Sequence, residues 1–252
     1  MNRLKNFILN TIASVKARGL RAGVKAQIQL LYVEIIVFLA RQLPNINPQT
    51  NLAYEKFLEG IKGKEGLTIL EIGSRNRSGN TYRSFVPPKT TYVGFDIIAG
   101  ENVDVIGDVH NLSAYFPDQK FDMVYSVAVF EHLAMPWKAI LEINHVMKEG
   151  GYLYIATHPC WPPHELPWDF WRYQKSSFAA LLNIKTGFKL LEATETGSAR
   201  IVPTSRDRSQ SLLARENTYL FTGAYAQKIS APDPNLNWNV KISDITDTLY
   251  PK

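Results

Sequence analysis

Four short apolar runs, LTILEIG, TYVGFDI, FDMVYSV and GYLYIATH, are spaced between Leu67 and His158, and their alternation with other segments constrains the fold more than anything else in the chain. Each is rich in β-branched and aromatic residues and bounded by Gly, Pro or Asp, the signature of a strand. Between the last two, MPWKAILEINHVMKEGG carries Trp137, Ile140, Leu141, Ile143, Val146 and Met147 at helical spacing. Pro136 suits the first helical position, and Gly150 and Gly151 are expected to stop the helix. Strands alternating with helices imply βαβ units, hence an α/β fold with a mainly parallel sheet, helices on both faces, and a ligand beyond the carboxyl ends of the strands.

Around this centre the chain has three further parts. FKLLEATETG and TYLFTGAYAQKI read as two late strands, separated by a polar, Arg-rich loop near residues 199–215. A Pro- and Trp-dense insertion, PCWPPHELPWDFWRYQ, follows His158 and leads into a helix around Ser176–Leu182. The first 43 residues read as helical. From Val24 to Leu43 they are apolar almost all round, with Gln27, Glu34 and Arg41 on one stripe, because seven residues advance a helix by nearly whole turns. A helix so apolar should be covered: by its own domain, by a partner in a homodimer, or by a membrane surface. Its apolar stretch is too short to span a bilayer. PNINPQTN at residues 44–51 is a connection, and a short helix near Ala53–Ile61 follows it. The expected organisation is a helical N-terminal extension over 1–50, one catalytic domain over 51–230 with its insertion at 159–175, and a tail over 231–252.

Charge and cysteine content narrow the setting. Basic residues number 28 against 23 acidic, a net charge of +5. Arg3, Lys5, Lys16, Arg18, Arg21 and Lys25 lie in residues 1–33, which hold no acid, so the remaining chain is close to neutral. Nucleic acid is therefore not an expected substrate. The single cysteine, Cys160, cannot form an internal disulfide, and the start lacks a small-residue cleavage site, so the expected location is cytoplasmic, peripheral to a membrane if the N-terminal helix binds one.

Four motifs fall at the strand ends. In ILEIGSRNRSGN, Gly73 lets the backbone approach a ligand without a Cβ in the way, though Gly73 and Gly79 would equally serve a tight strand-to-helix turn. Asp96 lies 23 residues further on, at the end of TYVGFDI, where a carboxylate can accept both hydroxyls of a ribose. In GDVHNL, Asp108 and its neighbouring amide can read an adenine edge. FDMVYSVAVFEHL brings Ser126 through His132 to the same edge, with Glu131 or His132 reaching the substrate side or closing a helix start.

In order and spacing these motifs, together with KEGGYLYIATHP, resemble the class I S-adenosylmethionine-dependent methyltransferases, and most closely the small-molecule group called methyltransferase type 11. The resemblance runs from about Leu67 to His158 and implies a Rossmann-like fold ending in an antiparallel strand pair, with S-adenosyl-L-methionine as cofactor. It places Glu71, Gly73, Ser74 and Arg75 at the methionine side, Asp96 and Ile97 at the ribose, Asp108 and Val109 at adenine, and Ser126, Val127 and the residues on to Phe130 along the cofactor. The departure is in the first loop, where Arg75 and Arg77 stand at positions that are often glycine in the family. The same departure argues against a dinucleotide, because G-x-G-x-x-G is needed for a pyrophosphate to approach the helix terminus, and Arg75 with Asn76 fills that space.

A methyl transfer needs alignment, exclusion of water and, for a protonated acceptor, a base. The candidate bases are His158, just past its strand, His164 in the insertion, and His132. A metal site built on His158, His164 and Glu165 is not expected, because Pro162 and Pro163 prevent helical presentation. Trp161, Trp168, Phe170, Trp171 and Tyr173 either pack the insertion onto the domain or form an aromatic wall for an acceptor, with Asp169 and Arg172 as polar contacts. DFWRYQ followed by a helix is similar to family members acting on surface glycans or natural products, which implies a small-molecule or glycan acceptor, methylated at oxygen or nitrogen. The competing readings are an NAD-linked oxidoreductase and a non-catalytic binding protein.

Overall fold

The structure, a computed structural model, describes residues 51–203 apart from 78, 80–82 and 84–85, residues 216–238, and nine residues between 22 and 39. Contacts divide the chain into two units, Met1–Asn47 and Pro48–Lys252. In the first, the nine described residues, from Ala22 to Leu39, are helical. The stripe of Gln27, Glu34 and Arg41 lies outside the described residues, as do most of the Arg-rich loop and the tail beyond Trp238. No helix among the described residues is long and apolar enough to cross a membrane.

The second unit is built on one seven-stranded sheet of order β3-β2-β1-β4-β5-β7-β6. Strands β1 (Thr68–Ile72), β2 (Thr91–Asp96), β3 (Val105–Ile106), β4 (Phe121–Val127) and β5 (Met147–Thr157) pair in parallel. The late strands β6 (Phe188–Ala199) and β7 (Thr218–Lys228) close it, β7 running antiparallel to both β5 and β6. This is the mainly parallel sheet with a terminal antiparallel pair expected of a Rossmann-like methyltransferase fold.

Strand alternation sorts side chains onto two cores. Leu70 and Ile72 of β1, Val124 of β4 and Leu153 and Ile155 of β5 face one side, where helix α3 (Pro136–Val146) buries Ala139, Ile140, Ile143 and Val146 and α4 (Ser177–Leu181) buries Phe178. Ile69, Met123, Tyr125, Tyr154 and Tyr225 face the other side and cover α1 (Leu52–Ile61) through Ala53, Phe57 and Ile61. Fully burying a side chain such as Phe57 contributes about 1.5–3 kcal/mol, so these two layers fix which face each strand residue takes. Asn51 caps α1, its side chain accepting from the Tyr54 N–H. A short helix α2 (Leu112–Tyr115) is tied to α3 by Glu142, whose Oε2 accepts from both the amide (2.8 Å) and the hydroxyl (2.6 Å) of Ser113.

The structure corrects one boundary. Helix α3 ends at Val146 and not at Gly150, because Met147 already belongs to β5 and pairs with Phe121. Gly150 instead takes a positive φ of 80° inside the long strand, where the register between β4 and β5 shifts.

Candidate active site

The carboxyl ends of β1, β2, β3 and β4 open into one cleft of about 700 Å³, counting its mouth. Its walls come from the residues that leave each strand: Gly73, Arg75 and Arg77 after β1; Asp96 and Ile97 at and after β2; Gly107, Asp108, Val109 and His110 after β3; Ala128, Val129, His132 and Leu133 after β4. Glu165 and Trp168 of the insertion complete it, and Glu165 pairs with Arg77 across the mouth.

Gly73 has φ 82°, and a Cβ built there would meet Val129 Cγ2 at 2.1 Å, so only glycine lets the β1 loop and the β4 loop close on each other. Asp96 organises the rim. Its Oδ2 accepts from the Arg75 amide (3.1 Å) and its Oδ1 from the Ile98 amide (2.9 Å). A carboxylate offers about four acceptor sites, so both oxygens retain capacity toward the cleft. The Arg75 stem lies against Gly100, where a Cβ would stand 2.7 Å from Arg75 Cγ. Arg75 Nε is buried without a hydrogen-bond partner.

Asp108 caps the 3-10 turn Val109–Asn111, its Oδ1 accepting from the His110 amide (2.9 Å) and the His110 ring Nδ1 (2.6 Å). Burial alone raises the Asp108 pKa, but these two bonds and the charge on that side outweigh it and hold the carboxyl below its usual value. His110 Nε2 accepts in turn from the buried amide of Met135 (3.2 Å), which fixes the Nδ1–H tautomer. His110 thus braces the Asp108 turn against the start of α3. Sequence reasoning passed over it, although its place two residues after Asp108 in GDVHNL suits a local side-chain cap.

Several residues expected at the cofactor take other positions. Glu71, by strand alternation, sits on the α1 side of β1, where its Oε2 accepts from the hydroxyls of Tyr125 (2.7 Å) and Tyr92. Burial raises the Glu71 pKa and the two hydroxyls restrain it. Ser74 is buried beneath Gly94, and Ser126 is fully buried with its hydroxyl lacking a partner. Neither of these, nor Glu71 or Val127, lines the cleft; of the stretch from Ser126 to Phe130 it is Ala128 and Val129 that do, because β4 ends at Val127 and the chain turns through Ala128 at φ 55°.

Among the three candidate bases only His132 touches the cleft. All three point Nδ1 at a backbone carbonyl: His132 at Trp168, His158 at Leu220 (3.0 Å) and His164 at Pro162 (3.2 Å). Burial pulls the His132 pKa down, partly opposed by the Trp168 carbonyl. The rings of His132 and His164 stand 4.7 Å apart, edge to face. Beside them lies Glu131, wholly buried, with Oε2 accepting from the Thr157 hydroxyl (2.6 Å), Oε1 accepting no hydrogen bond, and His158 Nε2 at 3.5 Å from Oε1. The group was not legible in sequence because Glu131 and His132 come from the β4 loop and His164 from the insertion.

The insertion mostly packs. Tyr173 donates to the Phe130 carbonyl (3.1 Å), Trp171 Nε1 to the Leu133 carbonyl (2.7 Å), and the amides of Phe170 and Trp171 to the Glu131 carbonyl. Trp161 stacks on His158 at 4.5 Å. Trp168 alone of the five aromatic residues lines the cleft. Asp169 and Arg172 pair with each other at 2.6 and 2.8 Å, which, more than any other contact, holds the Asp169 carboxyl at a pKa of about 2. They brace the loop and do not present free polar contacts; Asp169 also accepts from the His164 amide (2.9 Å).

Residues 87–155 match the family described as methyltransferase domain. No curated protein matches the chain. Among solved structures, an S-adenosylmethionine-dependent methyltransferase from Aquifex aeolicus is similar at 20% identity and TM-score 0.47, the match covering 69% of this chain and 89% of that one. The YcgJ protein of Bacillus subtilis is similar at 14% identity and TM-score 0.49, covering 72% and 100%. An arsenic(III) S-adenosylmethionine methyltransferase from Chlamydomonas reinhardtii is similar at 19% identity and TM-score 0.43, covering 69% and 65%.

Proposed function

We infer, from the match of residues 87–155 to the methyltransferase-domain family, that this chain transfers the methyl group of S-adenosylmethionine to oxygen or nitrogen of a small-molecule or glycan acceptor. The observation that carries the reading is the convergence of Asp96, Asp108 and the glycine turn at Gly73 on one cleft at the carboxyl ends of the parallel strands. When bound, the cofactor supplies an electrophilic sulfonium methyl; the chain's own work is to hold, orient and dry the reactants.

Asp96, fixed by the Arg75 and Ile98 amides, accepts the ribose hydroxyls. Asp108 keeps Oδ2 for the exocyclic amine of adenine while His110 occupies Oδ1, and Val109 and Ile97 give the base its apolar walls. Gly73 and Arg75 take the methionine end, where the guanidinium is suited to a carboxylate. The acceptor enters between Val129, Leu133 and Trp168, and its proton is handled where His132 borders the cleft, with His158 and His164 behind it. Glu165 with Arg77 narrows the mouth and helps to exclude water.

Calorimetric titration with S-adenosylmethionine, S-adenosylhomocysteine and NAD in parallel tests the assignment. Saturable binding of the first two, lost in Asp96→Ala, is expected. Binding of NAD alone, or undiminished binding by Asp96→Ala, would overturn it.

A further inference from the structure

We propose that Glu131, His132 and His164 form a binding site for a divalent transition-metal ion at the acceptor end of the cleft. One donor atom from each lies within 4.8 Å of the other two. Three features point to an ion and not to a chance grouping. Each histidine directs Nδ1 at a backbone carbonyl, of Trp168 and Pro162 respectively, which orients the ring, the arrangement found behind metal-bound imidazoles. Glu131 is wholly buried, its Oε2 satisfied by Thr157 while Oε1 accepts no hydrogen bond. A carboxylate so far from water is retained when it pairs with charge or coordinates a metal. The loop carrying His164 is itself anchored, through the Asp169–Arg172 pair and the His164 amide.

Donor chemistry selects the ion. Two imidazoles and one carboxylate suit Zn²⁺ and its first-row neighbours, whereas Mg²⁺ and Ca²⁺ prefer all-oxygen shells. Bond lengths of ~2.1 Å require donors ~3.4 Å apart in a tetrahedral site, so donor pairs now within 4.8 Å close by up to about 1.4 Å. His164, whose side chain is partly exposed, makes that movement by side-chain rotation while its loop stays anchored. Three protein donors leave a position open, and because His132 lines the cleft, that position faces it. Resting on the methyltransferase reading, the ion would receive an acceptor through a hydroxyl or carboxylate oxygen; with His132 then a ligand and not a base, it would lower the pKa of a bound hydroxyl, whose proton would pass to water at the mouth of the cleft. The acceptor class is thus one with an oxygen donor able to bind metal. Pro162 and Pro163 do not prevent the site, because its ligands come from two loops and not from one helix.

The experiment is equilibrium dialysis of the full chain, stripped with chelator, against a buffered Zn²⁺ series, with bound metal counted per chain. One equivalent is expected to bind wild type with micromolar or tighter affinity, weakened ~10–100-fold or more in Glu131→Gln and in His164→Ala. His145→Ala, on the exposed face of α3, should bind as wild type does. Replacing Zn²⁺ by Co²⁺ should give the intense visible absorption of a low-coordinate site in wild type but not in His164→Ala. No stoichiometric uptake by wild type, or equal uptake by the two ligand variants, would overturn the site. Binding of S-adenosylhomocysteine is titrated separately, so metal uptake without it would uphold the site while removing the methyltransferase reading.

Discussion

Replacing Gly73 by alanine probes the closest approach in the cleft. At φ 82° an alanine pays the left-handed penalty of about 1–2 kcal/mol. Its Cβ would also lie 2.1 Å from Val129 Cγ2 but 3.5 Å from Val129 Cβ. The first distance demands movement and the second is ordinary contact, so the clash resides in one methyl group. Forcing an extra methyl into a packed contact costs about 1–3 kcal/mol. Gly73→Ala should therefore destabilise by about 2–5 kcal/mol. Val129→Ala, at a half-buried position, should cost about 1 kcal/mol alone. In the double variant the clash disappears and only the backbone penalty remains. The double variant should accordingly be more stable than the sum of the single effects by about 1–3 kcal/mol. Urea unfolding of the four proteins, followed by tryptophan fluorescence, reads this coupling directly. Additivity within about 0.5 kcal/mol would refute the proposed contact and with it the reason for glycine at this position.

The neighbouring Ala128 offers the opposite case: it is exposed and holds φ 55°, so Ala128→Gly should leave stability unchanged or raise it by up to about 1 kcal/mol in the same assay, and a loss larger than that would contradict the strain. His110→Ala strips partners from the buried Met135 amide and from Asp108; it should destabilise by about 1–3 kcal/mol and weaken S-adenosylhomocysteine binding, and intact binding would remove the bracing role. Glu71 has a folded pKa raised above its ordinary 4.5 by burial, so the native state holds its proton more tightly than the unfolded chain. Stability should fall as pH rises from about 4.5 through the folded value, and Glu71→Gln, whose carbonyl can accept both tyrosine hydroxyls, should flatten that slope. An unchanged slope in the variant would assign it to other groups.

How far the chain could be read depended on whether the information was local. Short runs rich in β-branched and aromatic residues located β1, β2, β4 and β5, and the placement of Gly73, Asp96 and Asp108 at strand ends followed from the βαβ rule without any knowledge of packing. The end of α3 was misjudged because apolar spacing continues smoothly through Met147, and only its pairing with Phe121 shows that the chain has left the helix. Facing was decided by the two helical layers. Glu71 turned to α1 and its tyrosines, Ser126 to the α3 side, and Val129 instead of Val127 to the cleft. The histidines show the same limit more sharply. Sequence supplied His132, His158 and His164 as reactive side chains, but 26 positions separate Thr157 from the Glu131 carboxylate it bonds, and 36 separate His132 from its carbonyl partner at Trp168. Local periodicity fixes the elements because it reflects the backbone's own repeat; the meeting of Glu131, His132 and His164 depends on how two separate loops close over the same sheet edge, which only tertiary packing can set.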